Sequence, residues 1–126
     1  MHESRLSTVM IDCLDESFED SVAFWSGALG LKPRRRPQAG QRYLTLGKVD
    51  GPLFVRLQRV DSDPGFHLDI ETGSIPKEVA RLEAAGAHRK YRIKRWWVME
   101  DPSGNPYCVI SPESEGFPDN ARQWKD

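Results

Sequence analysis

The sequence predicts an α+β domain built from two similar halves, and three observations carry that prediction. Apolar residues alternate with polar ones over short runs, as they do in strands buried on one face. Two longer stretches instead carry apolar residues at helical spacing and end on glycine. The order strand, helix, further strands occurs twice, and "GALGLKP" and "EAAGAHR" close the two helices about half the chain apart. With 126 residues, 38% hydrophobic and 29% charged, the chain has the length and apolar content to bury a core as one domain.

In the first half, "STVMIDCLD" alternates Val9, Ile11 and Cys13 with Thr8, Met10 and Asp12, which predicts a strand. "DESFEDSVAFWSGALGLKP" reads as a helix. Ser17 is its N-cap, with Asp20 in a capping-box-like position, and Val22, Phe24, Trp25 and Leu29 form its apolar stripe. Gly30 is the expected C-cap, and Pro33 forbids continuation. "RYLTLGKVDG" and "PLFVRLQRV" are two strands joined at a Gly/Asp-containing turn. In the second half, "FHLDIET" is a strand and "SIPKEVARLEAAGA" a helix, with Pro76 in its first turn and Gly86 at its end. "RKYRIKRWWVME" and "PYCVISP" are strands joined by the turn sequence "DPSGNP". Module one is read at about 5–61, module two at about 65–112, and a tail at 113–126 that is either a mobile end or a flap.

Strands this short bury an apolar face by curving around their helix, which leaves the opposite faces to line a shared concavity. In "FHLDIET", His67, Asp69 and Glu71 then point into the cavity, while Leu68 and Ile70 pack on the helix. His67 has the titration range for acid/base work, and Asp69 or Glu71 is placed to orient it. Next-but-one residues on a strand lie only about 7 Å apart. A hydrogen bond along the row therefore needs side-chain reach, and His67 and Glu71 are the candidate catalytic residues. Adjacent strand residues face opposite ways, so one of Trp96 and Trp97 is core and the other a flat platform for a planar ligand. If Met99 opposes Cys108, the platform is Trp97; a one-residue slip makes it Trp96. Tyr43 and Phe54 add aromatic walls, and Arg56 adds an anion-binding guanidinium.

A formal net charge of -1 argues against a nucleic acid or a membrane surface as partner. The N-terminus has no apolar signal-like core, no run approaches a membrane span, and two cysteines make no disulfide framework, so a reduced cytoplasmic protein is expected. The basic runs Arg34 to Arg36 and His88 to Arg95 read as solvated surface, with a rim attracting an anionic small molecule as the sharper alternative.

"VAFWSGALGLKP", "FHLDIET", "VARLEAAGA" and "VMEDPSGNPYCVI" together resemble the vicinal oxygen chelate superfamily, in its order and over nearly the whole chain. That superfamily includes glyoxalase I, extradiol dioxygenases and the bleomycin and fosfomycin resistance proteins. The chain is most similar to its glyoxalase-like domain branch. The resemblance implies two βαβββ modules pairing into an open curved-sheet barrel with a central cavity. Metal-dependent members hold a divalent cation there on His and Glu side chains. Carried onto this chain, those positions fall on Thr8, Gln58, His67 and Cys108. His67 and Cys108 are the two soft donors among them, short of the three that a catalytic zinc site takes unless Glu71, Asp69 or Gln58 joins. The expectation is accordingly a glyoxalase-like protein that binds a small planar or anionic molecule through Thr8, Tyr43, Arg56, Gln58, Trp96, Trp97 and Cys108, with no cofactor. The alternative is a metal-dependent lyase, isomerase or dioxygenase with an altered ligand set. Glyoxalase I activity itself is not expected, because Thr8 and Cys108 replace expected ligands. The resemblance also implies a homodimer.

Overall fold

Side chains that alternate every second residue must be sorted onto two faces of a sheet, and here that sorting builds two units, each with one helix on its apolar face. The computed structural model describes residues 1–49 and 53–125. The order is β1 (His2–Leu14), a 3-10 turn (Asp15–Ser17), α1 (Phe18–Leu29), β2 (Tyr43–Val49), β3 (Leu53–Val60) and β4 (Gly65–Thr72), then α2 (Ile75–Ala84), β5 (His88–Ile93), β6 (Trp96–Glu100), β7 (Pro106–Ile110) and β8 (Arg122–Trp124). The class is α+β, as predicted. The chain divides into a first unit, Thr8–Phe66, and a second unit, Met1–Ser7 with His67–Asp126. The long strand β1 contributes its start to the second unit and its end to the first.

In the first unit the strand order is β2-β3-β1. β1 runs parallel to β3 with Thr8 opposite Phe54 and Asp12 opposite Gln58, and β2 is antiparallel to β3. Ile11 and Cys13 face the helix with Val55, Leu57, Leu44 and Leu46, and they meet Phe18 and Val22 of α1, with Trp25 packed alongside. The burial stripe is therefore Phe18, Val22, Trp25, at the i, i+4, i+7 spacing of one helix face. Phe24, expected in that stripe, stays 63% exposed because it lies off that line; Leu29 lies on it, at the last residue of the helix, and stays 43% exposed. Burial pushes the Cys13 thiol up, as suits a small core hydrophobe. Segment 30–42 runs as turns and irregular chain, so this half shows two strands after its helix among the described residues. The expected turn between β2 and β3 lies at 50–52, outside the described residues.

The helix ends divide. Gly30 takes the left-handed conformation, φ 67°, and caps α1 as expected. Ser17 precedes α1 without capping it. The 3-10 turn already bends the chain there, and the Ser17 hydroxyl donates instead to the Leu14 carbonyl at 3.3 Å. At α2 the Ser74 hydroxyl does cap, accepting from the Lys77 amide, and Pro76 sits in the first turn.

In the second unit β1 lies beside β4, followed by β7, β6 and β5, with β8 against the start of β1. β4 and β7 are parallel, with Leu68 opposite Tyr107 and Asp69 opposite Cys108. Met99 and Val109 pack on Val79 of α2, joined by Ile75, Leu82, Trp97 and Tyr107. Leu68 is on this helix side but remains 45% exposed, so the expectation that it packs on the helix is corrected. "RKYRIKRWWVME" is not one strand but two: the chain turns at Lys94, whose φ is 51°, to make the β5–β6 hairpin. β5 is exposed along its whole length, lies last in the strand order and carries an irregularity at Lys90. Charge and a bulge on such a strand are the ordinary protection of a sheet edge.

The tail is neither loose nor a simple flap. β8 pairs antiparallel with His2 to Ser4, and the Trp124 indole donates to the Ser4 hydroxyl at 2.9 Å. The Arg81 guanidinium covers the Trp124 ring at 3.7 Å from its centroid. Arg81 also forks onto Glu78, with both bonds at 2.8 Å, and the His2 ring meets the same carboxylate at 2.8 Å. Among the described residues, no helix is long and apolar enough to cross a membrane.

Two outcomes follow. Phe18→Ala is expected to cost about 3–5 kcal/mol in urea unfolding, because it opens a cavity in the core. Phe24→Ala, the same change on an exposed ring, should stay within about 0.5 kcal/mol. The second outcome concerns acid. Burial alone would push the Glu78 carboxyl up, but hydrogen bonds from Arg81, His2 and Ser4 outweigh it and hold the carboxyl below its ordinary range. A depressed carboxyl stabilises the fold fully above its unfolded value, about 4.3, and that contribution is lost as pH falls through the lower folded value. Unfolding midpoints recorded from pH 6 downward should therefore fall more steeply in the wild type than in Glu78→Gln.

Candidate metal and ligand site

The parallel register of β4 and β7 decides the site. Asp69 stands opposite Cys108, and His67, two residues earlier on β4, faces the same way. The His67 Nε2 lies 3.5 Å from the Asp69 Oδ1. One ring nitrogen of His67, one carboxylate oxygen of Asp69 and the Cys108 sulfur all lie within 4.8 Å of one another. Asp69 is buried, while His67 and Cys108 are half-buried. A tetrahedral shell with bonds of about 2.0–2.3 Å spaces its ligand atoms by about 3.3–3.8 Å, so small side-chain rotations would bring this set onto one ion. Nitrogen, sulfur and carboxylate oxygen together suit zinc and its first-row neighbours better than calcium or magnesium. The donors fit a divalent transition metal. Sequence reasoning had counted two soft donors; β-pairing supplies Asp69 as the third.

Glu71, the other candidate on this strand, has a different occupation. Its carboxylate is fully buried. One oxygen accepts from the Glu113 and Ser114 amides and the Ser114 hydroxyl at 3.0–3.1 Å, and the other accepts from Arg5 at 2.7 Å. A carboxylate so fully engaged anchors structure, and it lies outside the three-donor group. The tryptophans are settled by register. Val98, not Met99, stands opposite Cys108, so the expected alignment is corrected by one residue. That slip puts Trp96 on the face of Cys108 and sends Trp97 to the helix-side core.

The remaining predicted residues lie in the first unit. Thr8 is buried and accepts from Arg56 at 3.4 Å; Arg56 also donates to Thr45 at 2.9 Å. Gln58, in the amide orientation that satisfies both its neighbours, donates to Asp12 at 2.9 Å and accepts from Arg42 at 3.2 Å. Tyr43 is 47% exposed, with the Arg42 guanidinium 5.8 Å from its ring centroid. Arg5, His2, Glu78 and Ser114 escaped the sequence reading. Polar residues near a chain end carry no local signal of burial, and their partners lie 66 or more residues away in the case of Arg5 and His2.

A family model for the glyoxalase-like domain matches residues 8–110, and the chain belongs to that family. A structure of hypothetical protein BH1468 from Bacillus halodurans shares 16% identity, with 98% of this chain and 99% of that one covered and a TM-score of 0.60. A Legionella pneumophila structure described as an NAD-dependent benzaldehyde dehydrogenase shares 10% identity over 84% of this chain and 98% of that one, also at a TM-score of 0.60. At such identities the likeness is one of fold. No curated protein matches the sequence significantly.

Removing the Glu71 charge strands Arg5 in a partly closed site, so Glu71→Gln should cost about 3 kcal/mol in denaturant unfolding. Arg5→Met made on top of it should add little, and a double-mutant cycle would measure that coupling directly.

Proposed function

We propose that this glyoxalase-like protein is a metal-dependent enzyme acting on a small oxygen-bearing molecule, with His67, Asp69 and Cys108 holding the ion. The observation that carries this reading is the convergence of three different donor atoms within 4.8 Å. A divalent ion held there would act as a Lewis acid toward a substrate oxygen, the chemistry common to metal-assisted lyases, isomerases and dioxygenases. The protein's own contribution is positional. Asp69, buried at the middle of β4, sets its carboxylate 3.5 Å from the His67 ring nitrogen, so both donors face one point. Cys108 supplies the thiolate from β7. Trp96, on the same face, offers a flat wall for a planar substrate. Three protein donors leave the open coordination position that a catalytic site needs.

The second reading, a metal-free small-molecule-binding protein, is favoured by the direct His67–Asp69 approach of 3.5 Å, a pairing that stands without an ion. Metal analysis separates the two. Protein purified without an affinity tag and dialysed after exposure to zinc, iron, nickel and cobalt should retain about one equivalent of one of them. His67→Ala, Asp69→Asn and Cys108→Ser should each weaken retention at least about tenfold. Cobalt loading should give a thiolate-to-metal absorption band that vanishes in Cys108→Ser. Wild-type protein that retains no ion under those conditions sinks the metal reading and leaves the second.

A further inference from the structure

We propose that the outward face of α1 is a self-association surface, and that its partner is a second copy of this chain packed antiparallel against it. Phe24 and Phe66 are each 63% exposed. Trp25 meets both rings edge to face, with centroids 5.1 Å and 6.0 Å away. All three belong to the first unit. Three aromatic rings in contact, two of them largely in water, form a continuous apolar patch, unlike a single exposed side chain. The residues beside Phe24 on the helix are small. Ala23, Gly27 and Ala28 are exposed, and a Cβ added at Gly27 would meet nothing within 4 Å. A second backbone can therefore come close to this face, with Phe24 standing up from it as a knob.

The charges select what packs there. Glu19 and Asp20 lie in the first turn of α1, with Glu16 just before it, and all three are exposed. Lys32 and Arg34 to Arg36 follow the C-terminal cap at Gly30, and they are exposed too. The segment is acidic where the helix begins and basic after it ends. A parallel copy would set like charges together. An antiparallel copy sets each acidic end beside the other's basic segment, and it opposes the two helix dipoles. The face thus carries both halves of its own complement, as a twofold contact requires. The midpoint of α1 falls between Ala23 and Phe24. An antiparallel pair centred there puts Phe24 against Ala23 of the second copy, and Asp20 against its Gly27. A helix of this length spans only about 18 Å, so the contact is small and the dimer a weak one.

The surface is independent of the metal reading, and metal-stripped protein keeps the two apart, because no ion can then bridge two copies. Sedimentation equilibrium of the full chain between about 1 μM and about 1 mM should show a monomer–dimer equilibrium. Gly27→Glu should weaken it at least about tenfold, since it sets a carboxylate against Asp20 of the second copy. That position is open, and replacing a glycine inside a helix favours the helix, so the variant should fold. Two charge reversals test the direction of packing. One carries Glu16→Lys, Glu19→Lys and Asp20→Lys; the other carries Arg34→Glu, Arg35→Glu and Arg36→Glu. Each alone should lose affinity for itself at least about tenfold, and an equimolar mixture of the two should regain it as a heterodimer. A wild type that stays monomeric up to about 1 mM overturns the proposal. So does a dimer that Gly27→Glu leaves unchanged, or a mixture of the two folded reversal variants that stays monomeric.

Discussion

A charged carboxylate with no exposure to water needs compensation on every side, and Glu71 imposes that requirement on the whole second unit. Arg5 comes to it from the start of β1, and the Glu113 and Ser114 amides come from the tail. Two segments far apart in the chain are thereby tied to the middle of the unit. Glu78 repeats the logic on α2, drawing in His2 and Arg81, and Arg81 in turn covers Trp124. The two buried carboxylates explain why the tail is ordered although its sequence has no periodicity. They also hold β4 in place, and the position of β4 sets everything that happens on its polar face.

The polar face is where register becomes chemistry. Parallel pairing of β4 with β7 puts Asp69 opposite Cys108 and brings His67 within reach. Pairing of β6 with β7 chooses between two adjacent tryptophans and puts Trp96 on the face of Cys108. A slip of one residue in either ladder would exchange the faces of a strand. In the first unit a single extra residue in β2 does comparable work, turning Lys48 toward the Phe54 ring.

Local patterns were legible because they are written within a few residues of one another. Alternation in "STVMIDCLD" and "FHLDIET" placed two strands, Gly30 and the Ser74–Pro76 pair placed helix ends, and the motif order pointed to the glyoxalase-like family. His67 and Cys108 were legible through motif position. Less was readable where two patterns competed. Phe24 looked like core by composition, yet the helix turns it outward. Glu71 looked like a catalytic partner of His67, since it shares its face, and nothing nearby in sequence announces Arg5 or Ser114.

The sequence by itself determined the α+β class, the repeated module order, the family and which residues could bear chemistry. Those follow from residue spacing, side-chain type and motif order, which are local. Only the tertiary structure decided which of those residues meet. That Asp69 rather than Glu71 joins His67 and Cys108, and that Trp96 rather than Trp97 shares their face, both depend on strand register and buried ion pairing. Register is set by long-range packing and by the partners that buried charges demand, and no short window of sequence contains both sides of such a contact.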